Sequence, residues 1–484
     1  MNLIRRLLLY PTFVLVSLSS MLPSCARNPV TGKQEFMLLS EADEIKMGKE
    51  ADVSIVQMYG IYNDKKLAKY VNDLGQKLAK ISHRPQLTYE FKVMDSPVIN
   101  AFALPGGYVY VTRGILAYLN NEAELAGVMG HEIGHVAARH SAEQYSKSYI
   151  ANLGLGVGSM LSKDVARFAG LAAQGLGLLF LKFSRDDERQ ADMLGVDYAT
   201  KIGYDAREMS NFFATLDKMQ SKNNQGGLPD WFSTHPNPAD RVVAVLKESK
   251  KEQDITQNKE LKINRDAYLN MINGLIIGEN PRQGFVDNNM FYHPDLKFQF
   301  PVPAGWKLEN LPTQVQMIDA NQKGIILFTV AGKTSAKTAA DQFVEKTKAL
   351  VANNEETKVN GLNARMLFSE ISDQSNSLKI QSCFIEMGGE VYAFHAYSSV
   401  SEFGSYQSIF TKTLTGFSQL KDKARLNVQP DRVKVVKVKK AGTLKETLNE
   451  FNVPQKELDK LALLNGQNLN DQININTLIK IIAK

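Results

Sequence analysis

His131, Glu132 and His135 occur in the order H-E-x-x-H in a chain of 484 residues. On a helix, residues four apart stand one turn above each other on one face, so the two imidazoles can grip one metal ion while the carboxylate lies beside it. Imidazole nitrogens suit a zinc ion, and a neighbouring carboxylate can take a proton from water bound to it, which is the chemistry of hydrolysis. The competing reading is a chance pattern on an ordinary core helix. With only 7 histidines in the chain, chance is the weaker explanation.

The required helix is supported locally. Asn121 followed by Glu124 is a capping-box pattern, Leu125, Val128, Met129, Ile133, Val136 and Ala137 fall at helical spacing, and no proline interrupts the run to His140. Two histidines do not complete a catalytic site, which takes three protein ligands and keeps one position for water. Glu188 is the candidate third ligand. Asp192, four residues on, would point at the same neighbour and could accept the other ring N–H of a ligating histidine. Read without the upstream histidines, Arg185, Asp187, Glu188 and Arg189 would serve equally well on a solvated helix face.

Several separate motifs in order carry a resemblance. HEIGHVAARH, the downstream ERQAD, the upstream NAFALPGGYVYVTRGIL, the early NPVTGKQEFMLLSEADEIKMGKE and the later STHPNPADR together resemble the HtpX-like and CAAX-prenyl-endopeptidase family of zinc metallopeptidases, in its exported bacterial branch. The resemblance covers roughly residues 28 to 250. It implies one zinc ion per chain on His131, His135 and Glu188, with Glu132 as general base or acid and Asp192 bracing a histidine. It also implies that His235, in Thr234-His235-Pro236, lies over the metal and can hold the enzyme at rest, with Arg241 nearby. His235 or Arg241 would then stabilise the oxyanion. From spacing alone, a histidine before a proline is more often a loop residue.

Other elements must position these groups. Ser40 to Gly60 and Lys66 to Ile81 read as amphipathic helices opening the catalytic domain. Asn100 to Thr112 reads as a turn and an alternating strand, which in peptidases of this type lies at the sheet edge where an extended substrate could pair with it. Ile150 to Leu181 contains two short glycine-rich apolar runs, read as a pair of packed helices, with a lid or a membrane-touching surface as the alternative.

The amino terminus, Met1-Asn2-Leu3-Ile4-Arg5-Arg6, passes through an apolar run to Leu22-Pro23-Ser24-Cys25, the pattern of an export signal. It resembles a bacterial lipobox, with Cys25 lipidated; an uncleaved anchor helix is the alternative. Attachment to the periplasmic side of the outer membrane is expected. If Cys25 is lipidated, Cys383 is the other of only 2 cysteines, and no intramolecular disulfide is expected. A net charge of +6 is modest for this length and gives no ground for a nucleic-acid partner.

The expected fold class is α+β. After a signal peptide (1–24) comes a mainly helical, zincin-type metallopeptidase domain with a small edge-strand sheet (25–255), then a helical linker (256–286). An α+β accessory domain (287–422) carries strands at Lys297 to Val302, Gly324 to Val330, Leu362 to Ile371, Leu378 to Met387 and Val391 to Tyr397, with a helix from Thr338 to Asn353. His293 and His395 read as structural. The tail (430–484) has the strand-helix-helix-strand order of a divergent LysM-like module, a family that binds glycans such as peptidoglycan. The expected function is zinc-dependent cleavage of unfolded or misassembled envelope proteins, with the lipid-anchored membrane, peptidoglycan and the outer-membrane assembly machinery as further partners. The alternative is a chaperone-like interaction protein whose zinc site is self-capped.

Overall fold

The computed structural model describes residues 25–155, 178, 181–222, 231, 235, 239–256, 260–372 and 377–484. The signal segment 1–24 and most of the glycine-rich stretch lie outside the described residues. The chain divides into two compact units, one of Met1–Val56, Ile61–Leu275 and Val433–Ala483, the other of Ile276–Arg432 with Gln57–Gly60 and Lys484.

The first unit begins with two short antiparallel strands, β1 (Cys25–Arg27) and β2 (Gln34–Phe36). Helices α1 (Glu41–Tyr59) and α2 (Lys65–Lys80) follow. Asp64 caps α2 by accepting from Lys66 N and Leu67 N, and Leu67, Val71, Leu74 and Leu78 are buried on one face, as their spacing predicts. Next come β3 (Glu90–Met94), β4 (Ala101–Leu104) and β5 (Tyr108–Thr112), in spatial order β3-β5-β4. Tyr108–Thr112 is thus the central strand, parallel to β3 and antiparallel to β4. The sequence reading put it at an edge. Its five residues are all buried, because it is covered on both faces and paired on both sides. The edge belongs to β4, which the turn through Gly106 (φ 83°) and Gly107 (φ 105°) folds back on β5.

Helix α3 (Arg113–Tyr118) leads into α4 (Glu122–Ala138), which carries the H-E-x-x-H motif. Every residue of α4 from Ala123 to Ala138 is buried, so it is a central helix rather than a one-sided amphipathic one. Asn121 caps it by accepting from Glu124 N at 2.8 Å. The reciprocal half of the capping box is displaced by one residue, because the Glu124 carboxylate accepts from Asn120 N at 2.6 Å. Around α4 stand α5 (His140–Leu155), α6 (Arg185–Lys201), α7 (Glu208–Lys222), α8 (Ala239–Thr256) and α9 (Arg265–Met271). Among the described residues no helix is long and apolar enough to cross a membrane.

In the second unit, β6 (Phe285–Asp287), β7 (Met290–His293) and β8 (Phe298–Pro301) form a four-stranded sheet with β16 (Ser418–Gln419). A seven-stranded antiparallel sheet comprises β9 (Lys307–Leu311), β10 (Gln314–Ile318), β11 (Ile325–Gly332), β12 (Leu350–Val359), β13 (Leu362–Ser372), β14 (Ser377–Met387) and β15 (Glu390–Ser399), in order β12-β13-β14-β15-β11-β10-β9. Helix α10 (Ala336–Thr347) packs its alanines on Leu367, Phe384 and Ala393, while α11 (Phe403–Thr415) joins the larger core of Phe300, Phe328 and Phe394. The helix expected through Asn353 stops at Thr347, because Lys348 takes a left-handed conformation (φ 55°) and β12 then pairs with β13. His395 stacks on Phe343 and shares a 2.9 Å hydrogen bond with Ser382 Oγ. His293 Nδ1 accepts from Leu296 N.

The last stretch returns to the first unit with β17 (Arg432–Lys437), β18 (Gly442–Thr443), α12 (Leu444–Glu450), α13 (Leu458–Leu464), β19 (Gln472–Ile473) and β20 (Leu478–Ala483). It is bound into the core around α4. Lys480 is fully buried and donates to the carbonyls of Ala117 and Leu119 at 2.8 and 2.9 Å, at the end of α3. Arg265 of α9 donates to Leu478 O.

Candidate metal centre

Four buried side chains, His131, His135, Glu188 and His235, bring one ligand atom each within 4.8 Å of one another. Helix α4 supplies the first two from one face. Their Nε2 atoms are 3.0 Å apart. Helix α6 supplies Glu188 from its first turn, which Ser184 and Asp187 fix by a complete capping box. Glu188 Oε1 lies 3.4 Å from His135 Nε2 and Oε2 3.7 Å from His131 Nε2. His235 Nδ1 stands 3.3 Å from His131 Nε2 and 2.9 Å from Glu188 Oε1.

The two helices reach this distance through glycine. A Cβ on Gly195 of α6 would meet His131 N at 2.9 Å and Gly127 O at 3.0 Å, and one on Gly130 would meet Gly195 Cα at 3.1 Å. Gly195→Ala is therefore expected to force the backbones apart, destabilise the unit by about 1–3 kcal/mol and weaken metal retention through displacement of Glu188. Urea unfolding and metal content of the purified variant check this. Unchanged values in both would contradict it.

Each histidine on α4 has its second nitrogen occupied. His131 Nδ1 is 2.9 Å from Asp192 Oδ1, and His135 Nδ1 is 2.9 Å from His140 Nδ1, whose Nε2 meets Gln190 Oε1 at 2.8 Å. Such partners fix ring orientation and leave Nε2 for an ion. Arg241 of α8 closes the set, with Nε and Nη2 on the two Asp192 oxygens at 2.8 and 2.6 Å and Nη1 3.0 Å from Glu188 Oε2. Rings wall the centre. Phe183 stacks on His135 at 4.1 Å, Trp231 on His235 at 4.3 Å, and the Arg241 guanidinium lies over Phe213 at 4.3 Å.

Burial sets the electrostatics. Desolvation pulls the His131 imidazole down to about 3, against the hydrogen bond that it donates to Asp192, so the ring is neutral as a ligand must be. It pulls His140 down to about 4. Desolvation pushes the Glu132 carboxyl up to about 8. Glu188 and Asp192 also suffer desolvation, yet His235 and Arg241 hold Glu188 well below its ordinary value, and Arg241 with His131 holds Asp192 below its own.

The donor set fits a metal ion. Two imidazole nitrogens and a carboxylate are a catalytic zinc-type ligand set, and ligands on a tetrahedral ion at about 2.1 Å stand about 3.4 Å apart. Glu132 Oε1 and His235 Nε2, 3.7 Å apart, are buried at the centre without a hydrogen-bond partner among the described residues.

The structure brings together His131, Glu132, His135, Glu188, Asp192, His235 and Arg241, all singled out in the sequence. Cys25 opens β1 on its own, in pairing with Phe36. Sequence reasoning gave no role to His140, although it ends the string HEIGHVAARH. Five residues after His135, it is off that helical face. The left-handed turn at Arg139 (φ 63°) ends α4 and folds His140 back onto His135. Arg139 is held there by Glu44 at 2.7 Å and Leu39 O at 2.9 Å. Phe183, Trp231 and Gly195 carried no signal by type or spacing.

A buried helix presenting two histidines and a glutamate to an acidic partner helix defines a metallopeptidase-type centre. Residues 65–249 match the family model of peptidase family M48. Similar proteins include the beta-barrel assembly-enhancing protease of Escherichia coli (strain K12), 30% identical over 227 residues, covering 44% of this chain and 45% of that one. The mitochondrial metalloendopeptidase OMA1 of Bos taurus is 31% identical over 229 residues, covering 44% and 42%. The chain thus spans less than half the length of these relatives. Among solved structures, cyanobacterial PsbP from Synechocystis sp. PCC 6803 aligns at 13% identity and a TM-score of 0.25, covering 27% of this chain and 91% of that one.

Proposed function

We propose that the chain is a zinc endopeptidase that cleaves unfolded or misassembled proteins of the cell envelope. The observation that carries this is the convergence of His131, His135 and Glu188 with the Glu132 carboxyl in one buried centre. The names of the relatives, a beta-barrel assembly-enhancing protease and a mitochondrial metalloendopeptidase, support the reaction class, and the first fits a setting in which β-barrels are assembled. When bound, the ion would acidify a water and polarise the scissile carbonyl. Glu132, buried beside the ligand atoms, would take the water proton and pass it to the leaving amine. Asp192 and His140 keep the two ligating rings in the correct tautomer. Arg241, or His235 if displaced from the other ligand atoms, would stabilise the oxyanion. A substrate strand would align beside β4, the outer strand next to β5, and be held through backbone groups that read no side chains.

Cys25 would carry the lipid that tethers the chain to the periplasmic side of the outer membrane. The 430–484 segment would be a LysM-like module presented to peptidoglycan, and the outer-membrane assembly machinery would be a partner. A second reading is favoured by one observation. His235 Nδ1 lies among the other ligand atoms at 2.9 to 3.3 Å, where it would close the fourth position as in a resting, self-capped interaction protein. His235→Ala separates the two. A gain in cleavage of a reduced, unfolded protein, with zinc retained, supports a regulated protease. No cleavage by either the wild type or this variant, with zinc bound in both, favours the interaction protein.

A further inference from the structure

The seven-stranded sheet of the second unit has two unlike edges. At one, β9 is short, and Asn310 ties it to the carbonyl of Gln283 at 3.0 Å. At the other, β12 pairs with β13 on one side, and no strand adjoins its other side among the described residues. Leu350 to Glu356 are all exposed, Leu350 at 72%. An antiparallel edge turns the N–H and C=O of alternate residues outward, a template for one more strand.

This edge lacks most of the usual protection. The strand contains no proline, and its register irregularity lies near the start, between Val351 and Asn353. From there, Asn353 to Val359 stay in continuous register with Phe368 to Leu362. An added strand would therefore meet a straight backbone over most of the length of β12.

The side chains indicate what it would carry. Glu355 and Glu356 sit mid-strand on opposite faces of the pleat, both exposed. Arg365 of β13 bonds Asn354 at 2.8 Å and Glu356 at 2.9 Å, fixing the carboxylate while leaving it 82% exposed. Antiparallel pairing of this edge with a second copy, centred between Asn354 and Glu355, would set Glu355 diagonally beside the copy's Glu356 on each face of the pleat, which disfavours it. A strand bearing Lys or Arg at that height gains ion pairs instead. A cavity of about 550 Å³ beside the strand, lined by Lys337, Glu356, Lys358, Asn363, Arg365 and Glu386 among others, leaves room for long polar side chains. Leu350 and Val351 offer apolar contact at the strand's start.

We propose that β12 is a docking edge for an extended, basic segment of another polypeptide, which adds to the sheet as an eighth strand with Lys or Arg opposite Glu355 and Glu356. It is independent of the metal centre. The test uses the full chain carrying Glu132→Gln, so that no probe is consumed, and a fluorescent decapeptide of alternating valine and threonine with two central lysines. A matched peptide with central glutamates is the control.

The lysine peptide is expected to bind, with amide-exchange protection at residues 350–359, and the glutamate peptide to fail. The double variant Glu355→Lys, Glu356→Lys should weaken the lysine peptide by about tenfold and admit the glutamate peptide, which also reports that the sheet is folded. Equal affinity for both peptides, no binding of the lysine peptide, protection elsewhere than β12, or self-association through this edge would each overturn the proposal.

Discussion

Replacing Glu132 with glutamine is expected to lower kcat/KM for cleavage of an unfolded polypeptide by about 10²–10⁴-fold, the usual worth of a positioned general base, while metal content stays at one ion per chain. The two readouts separate because Glu132 is not among the four converging ligand atoms. Its carboxyl is buried, pushed up to about 8 by desolvation, and its Oε1 has no hydrogen-bond partner among the described residues. Glutamine keeps the volume and removes the proton acceptor. Metal retained with cleavage undiminished would remove Glu132 from the mechanism; metal lost would show that it holds the ion.

The second large effect falls on Arg241. Its guanidinium lies between Asp192 and Glu188, bonding the first through Nε and Nη2 and pairing with the second at 3.0 Å. Arg241→Met leaves two buried carboxylates without their cation and is expected to cost about 3–5 kcal/mol in the metal-free chain. The effect depends on pH. Both carboxyls titrate below their ordinary values of 4.5 and 3.8, so the stability they contribute is complete above those values. It is lost as the pH falls below them. Denaturant melts of wild type and variant should therefore differ most at neutral pH and converge in acid. A gap that stays constant down to acid pH would mean that Arg241 acts through packing on Phe213 alone. Added zinc should narrow the gap at neutral pH, since the ion neutralises Glu188.

Local pattern made much of this site legible. Residues four apart share a helix face whatever surrounds them, so His131 with His135, and Glu188 with Asp192, could be paired from spacing alone. The family resemblance added His235 and Arg241, which spacing could not. In the second unit, period-two alternation located β8, β11, β13, β14 and β15. It failed at Leu350–Val359, where exposure on both faces leaves no alternation, and helix propensity carried the expected helix through Asn353.

What the sequence determined by itself was therefore chemistry and local geometry: which side chains can bind an ion, and on which face of which helix each stands. The tertiary structure decided the rest, because those matters depend on which backbones meet. Tyr108–Thr112 is central because β3 and β4 pair with its two sides. His140 reaches His135 because the Glu44 carboxylate holds Arg139 in a left-handed turn. Glu188 reaches the histidines because Gly195 and Gly130 leave no side chain between α6 and α4. Each rests on which backbones and side chains meet in space, fixed by packing and charge that no local spacing encodes.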